Sequence, residues 1–206
     1  MTDQALRAAR EAFPAEIESI QETLAVFDED AFSRAVALLK DAPRIAASGC
    51  GHSGILCRHF AHLMCCIDRP ARFLSPAEAV HGALGFLTAG DVILFASRGG
   101  KTQELLPILA ICRKKGVSVI SVTEDLSSEL ALSSDVVLPI RVTRETDKYN
   151  CQGTSSFTVM AVLLHALQAA LIEENDFQNE RFALDHPGGA VGQRLNSGEA
   201  RKKAAE

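Results

Sequence analysis

Twice in this chain a short apolar run breaks into a loop of glycine, hydroxyl and basic residues and then resumes at helical spacing. The first run is Arg44-Ile45-Ala46-Ala47-Ser48, followed by Gly49-Cys50-Gly51-His52-Ser53-Gly54 and a helix to about Ile67. The second is Asp91 to Ala96, followed by Ser97-Arg98-Gly99-Gly100-Lys101-Thr102 and a helix from Thr102 to Lys115, stopped by Gly116. Apolar runs of this length without alternation read as strands covered on both faces, as in parallel sheets whose crossovers are helices. Further strands are predicted at Ala71 to Leu74, Ser118 to Val122 and Val136 to Arg141, with helices at Ser127 to Leu132 and Ser155 to Glu174. The alternation predicts an α/β fold with a mostly parallel sheet and helices on both faces.

Ahead of this pattern, Asp3 to Leu39 carries apolar residues at helical spacing, broken at Asp28-Glu29-Asp30, and reads as two helices. The domain reading is a helical extension over 1–40, a ligand-binding domain over 41–196 and a flexible tail over 197–206. With 47% hydrophobic and 23% charged residues the chain can bury about 70% of its unfolded surface in one core. A net charge of -5 and scattered basic residues argue against a nucleic-acid partner, and Arg201-Lys202-Lys203 reads as solvated. No leader pattern and no membrane span are read, so a soluble, cytoplasmic protein is expected. The six cysteines form no C-x-x-C pair and read mostly as reduced, core-filling residues.

In an open parallel sheet, ligands bind beyond the carboxyl ends of the strands, where loops enter helix N-termini. Gly49 to Gly54 fits the G-x-G-x-x-G pattern of a dinucleotide site, but the second strand ends Phe73-Leu74-Ser75 without the acidic residue a ribose requires. Ser97 to Thr102 offers two hydroxyls, two glycines and two cations, a set that can wrap a phosphate, with Arg98 and Lys101 adding attraction. The same loop could be an ordinary turn capped by Thr102. Thr154-Ser155-Ser156, opening the last long helix, is a third group of donors or only its N-cap. Candidates for acid and base work are Glu104, Glu145, His52, His81 and His186.

Taken together, Gly-x-Gly-His-Ser-Gly, Ser75 to Gly82, Ser97 to Glu104, Thr154-Ser155-Ser156 and Phe182 to Ala190 resemble the SIS (sugar isomerase) domain, most closely its arabinose-5-phosphate isomerase branch. The resemblance runs from about Arg44 to Leu195. It implies a three-layer sandwich around a five-stranded parallel sheet, and a homodimer or homotetramer with active sites completed across subunits. It also implies an aldose-ketose isomerase that moves a proton between C1 and C2 of a phosphorylated sugar through an enediol, without a cofactor. Phosphate and substrate contacts carry over to Gly51, His52, Ser53, Ser97, Arg98, Lys101, Thr102, Thr154, Ser155 and Ser156. Glu145 is the first choice of proton-transferring base, with Glu104 the alternative. His186 would open the ring or shuttle protons, and His81 with Glu104 would hold sugar hydroxyls.

Three departures bear on the substrate. His52 stands where the branch usually has Lys, so a charged contact is changed. Arg98, Gly99 and Lys101 replace the Asn, second Ser and Glu of the usual second loop. The paired CBS domains of the usual isomerase are not expected here, nor is their nucleotide regulation. His52, His81 and His186 also form a possible metal set if their loops converge. The reading from a different class is a non-catalytic sugar-phosphate sensor.

Overall fold

The fold, described here over residues 1–196 of a computed structural model, is the three-layer α/β sandwich that the alternation predicts. Five parallel strands, β1 (Ile45–Ser48), β2 (Ala71–Phe73), β3 (Val92–Ala96), β4 (Ser118–Thr123) and β5 (Val136–Pro139), lie in the order β2-β1-β3-β4-β5. The expected tail over 197–206, with its basic triplet, lies outside the described residues.

Side chains alternate across the sheet, and each face builds its own core. Ile45, Ala47, Leu94, Ile120 and Val122 face one layer, while Ala46, Ile93, Phe95 and Val119 face the other. The first layer holds α1 (Asp3–Ala25), α2 (Glu29–Asp41), α3 (Gly51–Cys65) and α7 (Ser155–Glu174); the second holds α4 (Pro76–Ala79), α5 (Leu106–Lys115) and α6 (Glu129–Leu132). The chain ends its described part in α8 (Asn179–Asp185) and α9 (Gly189–Asn196). Asp28 caps α2 by accepting from the Ala31 N–H at 2.9 Å, which accounts for the acidic break between the first two helices.

Several local expectations are corrected. The helix after β3 begins at Leu106, not Thr102, because Thr102 shares a hydrogen bond with Ser97 and Pro107 suits only the first turn of a helix. Three short helices, α4, α8 and α9, were not among the predicted elements; each is too brief to show helical spacing in sequence. Only Cys57, Cys66 and Cys112 are buried, while Cys65 and Cys151 are exposed. Helix α7 is long and apolar enough to cross a membrane by length and composition, which the sequence reading did not register. Eight of its residues are nonetheless buried against α1, α2, α3 and the sheet.

Strand order reverses direction between β1 and β3, so the chain leaves these two neighbours toward opposite faces and a crevice opens between their following loops. The glycines of the first loop are fixed by packing. A Cβ on Gly54 would lie 2.7 Å from the Gly49 carbonyl oxygen, and one on Gly49 would lie 3.0 Å from the carbonyl oxygen of Ala96. Both obstacles are backbone, which cannot swing aside. Gly54→Ala is therefore expected to destabilise the fold by about 1–3 kcal/mol, read as a lowered Tm in thermal melts.

Candidate functional site

The loops at the carboxyl edge of the sheet meet around the crevice. Ser97, just beyond β3, is buried, and its hydroxyl lies 2.9 Å from that of Thr102, so the two donors stand side by side. Gly51 adopts φ +54 at the entry to α3, a conformation that favours glycine and starts the helix with exposed N–H groups. His52 packs against the loop before α7: a Cβ on Gly153 would lie 3.4 Å from its ring. Ser53 is half-buried on the same helix, against Met160 of α7. The sequence-predicted residues Gly51, His52, Ser53, Ser97, Thr102 and Thr154 thus gather at one edge.

Arg98 does something other than expected. Its Nη1 donates to Glu145 Oε1 at 2.7 Å, its Nε to Glu124 Oε2 at 2.8 Å, and its Nη2 to the Val142 carbonyl at 2.9 Å. All three nitrogens of the guanidinium donate to protein acceptors, so Arg98 braces the second loop against Glu124, Glu145 and the Val142 carbonyl. Lys101 is exposed and paired with Asp125 at 2.7 Å, at the rim of the loop.

Glu145 is buried, its side chain 2% exposed, and its second oxygen accepts from the Thr154 N–H at 2.8 Å and the Ser156 N–H at 3.2 Å. The carboxylate therefore occupies the N-terminus of α7, where free N–H groups and the helix dipole favour an anion. Burial alone would raise its pKa, but the Ser156 hydroxyl and N–H, the Thr154 N–H and Arg98 outweigh it and hold the group below the ordinary carboxylate value. An anchored anion of this kind is a poor proton acceptor, which weakens its choice as base. It also occupies the helix end that a phosphate could have used, leaving the Ser97 and α3 side for a ligand. Ser155 is fully buried, and among the described residues its hydroxyl has no partner, so it is not a surface on which substrate could rest.

Glu104 lies in the turn before α5 and is exposed, and among the described residues no hydrogen bond or ion pair engages its carboxylate. It is close enough to the first loop to help raise the Cys50 thiol, after burial as the main cause. His81 sits in the turn after α4, exposed, with its backbone N–H on the Glu78 carbonyl and, among the described residues, no side-chain link to the cradle.

His186 is not at this edge. Its Nε2 lies 3.5 Å from Cys66 Sγ, just past the end of α3, and its Nδ1 lies 3.2 Å from the Phe182 carbonyl oxygen. The length of α3 puts that position about 20 Å from the first loop. The possible metal set of His52, His81 and His186 is thereby not assembled within one chain. Among the described residues, no group of three or more His, Cys, Asp or Glu side chains is placed to hold a metal ion.

Sequence reasoning missed Glu124, which ties Arg98 to the Val142 N–H at 3.0 Å, and Asp147, which gathers the Tyr149, Cys151 and Gln152 N–H groups and shapes the loop before α7. A signal existed for the first: an acidic residue directly after a buried strand, at the edge where ligands bind.

Two buried carboxylates set the acid stability of this arrangement. Asp91, which burial alone would push up, is held low by Arg44 and the Thr88 N–H and hydroxyl, as Glu145 is by its donors. Each binds its proton less readily folded than unfolded, so its contribution is complete above the unfolded carboxylate value of about 4 and is lost as pH falls through the lower folded value. Tm is expected to be flat in this respect above about pH 5 and to fall below pH 4. Asp91→Asn should lower Tm at pH 7 and flatten the acid limb; an unchanged limb would contradict the assignment.

A family model described as the SIS domain matches residues 38–170. The chain is 35% identical over 190 residues to arabinose 5-phosphate isomerase KdsD of Pseudomonas aeruginosa, and 33% identical over 191 residues to the enzyme of the same name from Francisella tularensis. These alignments cover 92% and 91% of this chain but 58% of each relative, so the chain spans little more than half their length. Among solved structures, a protein of Escherichia coli CFT073 in complex with A5P superposes with a TM-score of 0.85 at 30% identity, covering 91% of this chain and all of that one.

Proposed function

Since the chain belongs to the SIS domain family, we propose that it isomerises a phosphorylated sugar between aldose and ketose forms, with an arabinose 5-phosphate and ribulose 5-phosphate pair as the model substrate. The observation that carries this reading is the meeting, at the β1/β3 switch point, of a hydroxyl- and glycine-lined cradle with the Glu104 carboxylate, unengaged among the described residues, at its mouth. The similarity to arabinose 5-phosphate isomerases and to a structure holding A5P supports the substrate class.

In this reading Ser53, Ser97 and Thr102, with the loop N–H groups and His52, hold the phosphate. Glu104 takes the proton from C2 of the open-chain aldose and returns it to C1 of the enediol, while the hydroxyl proton at C2 moves to the oxygen at C1. Glu145, fixed by Arg98, shapes the opposite wall. His81 contacts sugar hydroxyls, and His186 of a neighbouring copy opens the ring, because its own chain holds it about 20 Å from the cradle. Phe13 and Leu24 of α1, 73% and 70% exposed, support such a homo-oligomer. Residues 41–196 are read as the sugar-phosphate domain with 1–40 as a helical extension, working in the cytoplasm.

The test is turnover of pentose, hexose and heptose phosphates in D₂O, followed by NMR. Deuterium entering C1 or C2 of one substrate supports the isomerase and names the sugar. Ligand-induced thermal stabilisation without exchange would make the protein a sensor instead.

A further inference from the structure

Helix α1, read from sequence as an extension outside the ligand-binding domain, reaches the segment that carries Glu145. Between β5 and Glu145 the chain runs without regular structure through Arg141, Val142, Thr143 and Arg144, beyond a strand at the edge of the sheet. Its backbone groups therefore need partners from outside the sheet. Successive residues take them from different elements. Thr23 of α1 donates its hydroxyl to the Arg141 carbonyl at 2.9 Å and accepts the Arg141 N–H at 3.1 Å, as a neighbouring strand would. Arg98 and Glu124 hold the carbonyl and N–H of Val142. Glu22 of α1 then accepts from the Thr143 hydroxyl at 2.5 Å and from its N–H at 3.2 Å. Glu16, also of α1, accepts from the Thr158 hydroxyl at 2.8 Å, in the first turn of the helix whose N–H groups hold Glu145.

The make-up of this contact suits alignment more than anchoring. The residues that α1 buries are Ala15, Ser19 and Thr23, small or hydroxylated, while Phe13, Ile17 and Leu24 are exposed. Apolar burial is non-directional, whereas hydrogen bonds to both backbone groups of one residue fix its position and its orientation together. We propose that Thr23 and Glu22 are positioning residues for Glu145: α1 holds Arg141 and Thr143 while Arg98 and Glu124 hold Val142, and the carboxylate that walls the sugar site is set by both. The inference deepens the isomerase reading and rests on it only for turnover. A misplacement of about 1 Å can cost about 10²-fold in rate, so the helical extension is a working part of the site.

The experiment compares Thr23→Val, Thr23→Ser and Glu22→Ala with the wild type, all as the full chain, by amide hydrogen exchange and by turnover of arabinose 5-phosphate well below the melting transition. Valine keeps the volume of Thr23 and deletes its hydroxyl, leaving the Arg141 N–H and carbonyl without their partner. Exchange at 141–146 and 154–156 should quicken at least about tenfold. The value of kcat should fall by about 10–100-fold with KM within about threefold, and Tm by roughly 2–8 °C. Serine restores the hydroxyl and should recover most of the lost kcat. Glu22→Ala, at a half-buried residue, should lower kcat by about 3–10-fold. Asp91→Asn lowers Tm from the amino edge of the sheet and should keep kcat, which separates positioning from lost stability. Unchanged exchange at 154–156 in Thr23→Val, kcat within about twofold of wild type, or no rescue by serine would each overturn the proposal. A wild type that turned over no sugar phosphate would end the isomerase reading, and exchange at 154–156 would then decide the positioning by itself.

Discussion

Replacing Glu104 by Gln is expected to lower kcat by about 10²–10⁴-fold, the contribution of one well-placed base, while leaving Tm nearly unchanged. The two halves of this expectation have separate causes. Glutamine keeps the shape and hydrogen-bonding reach of the side chain but cannot accept the proton from carbon. The side chain is exposed and, among the described residues, unpaired, so its substitution is expected to disturb no packing or ion pair, and such changes cost within about 0.5 kcal/mol. Deuterium exchange into substrate should vanish in Glu104→Gln while ligand-induced stabilisation persists. Glu145→Gln should behave differently, losing Tm together with activity, because its charge is what the α7 N-terminus and Arg98 hold. If Glu104→Gln kept most of its activity and Glu145→Gln lost all of it at unchanged Tm, Glu145 would resume the role of base.

Arg98→Met is expected to lower stability by about 2 kcal/mol, or roughly 4–8 °C in Tm, with a fall in turnover of more than about tenfold. Methionine preserves the apolar stem and deletes the guanidinium that joins Glu124, Glu145 and the Val142 carbonyl. The full cost of breaking a buried pair, about 3–5 kcal/mol, is reduced here because the Arg98 side chain is 34% exposed and the Thr154 and Ser156 N–H groups still donate to Glu145. Arg98→Lys should recover part of the loss, since a single ammonium cannot reach three acceptors. The double variant Arg98→Met with Glu145→Gln should be less than additive, as two partners in one network are. A phosphate ligand would give the opposite pattern: KM raised, Tm unmoved and additive effects.

How the cradle was legible from sequence is seen in the two strand-to-helix loops. The glycines at 49 and 54 are required because backbone passes within contact distance, and the hydroxyls of Ser97 and Thr102 follow a strand buried along its whole length. Both facts leave local marks. The start of α5 left a weaker one: Pro107 argued for a start at Leu106, but the hydroxyl of Thr102 suggested a cap four residues earlier. That hydroxyl is used by Ser97 instead, across a loop whose closure is not a local property.

The order and type of the main elements, the edge of the sheet where the ligand loops gather, and the residue types of the cradle were set by local patterns: apolar runs, helical spacing, and glycines where no side chain fits. Tertiary structure alone decided which charges meet. Arg98 lies 47 residues from Glu145 in the chain, and only the closing of the β5 loop onto β3 turns an expected phosphate contact into a brace. It decided equally that His186 lies at the far end of α3 and that Thr23 finds Arg141, 118 residues away. The reason is physical: a local pattern reports what a residue does to its own backbone, whereas a charge or imidazole acts through space on whatever the fold brings within a few ångströms.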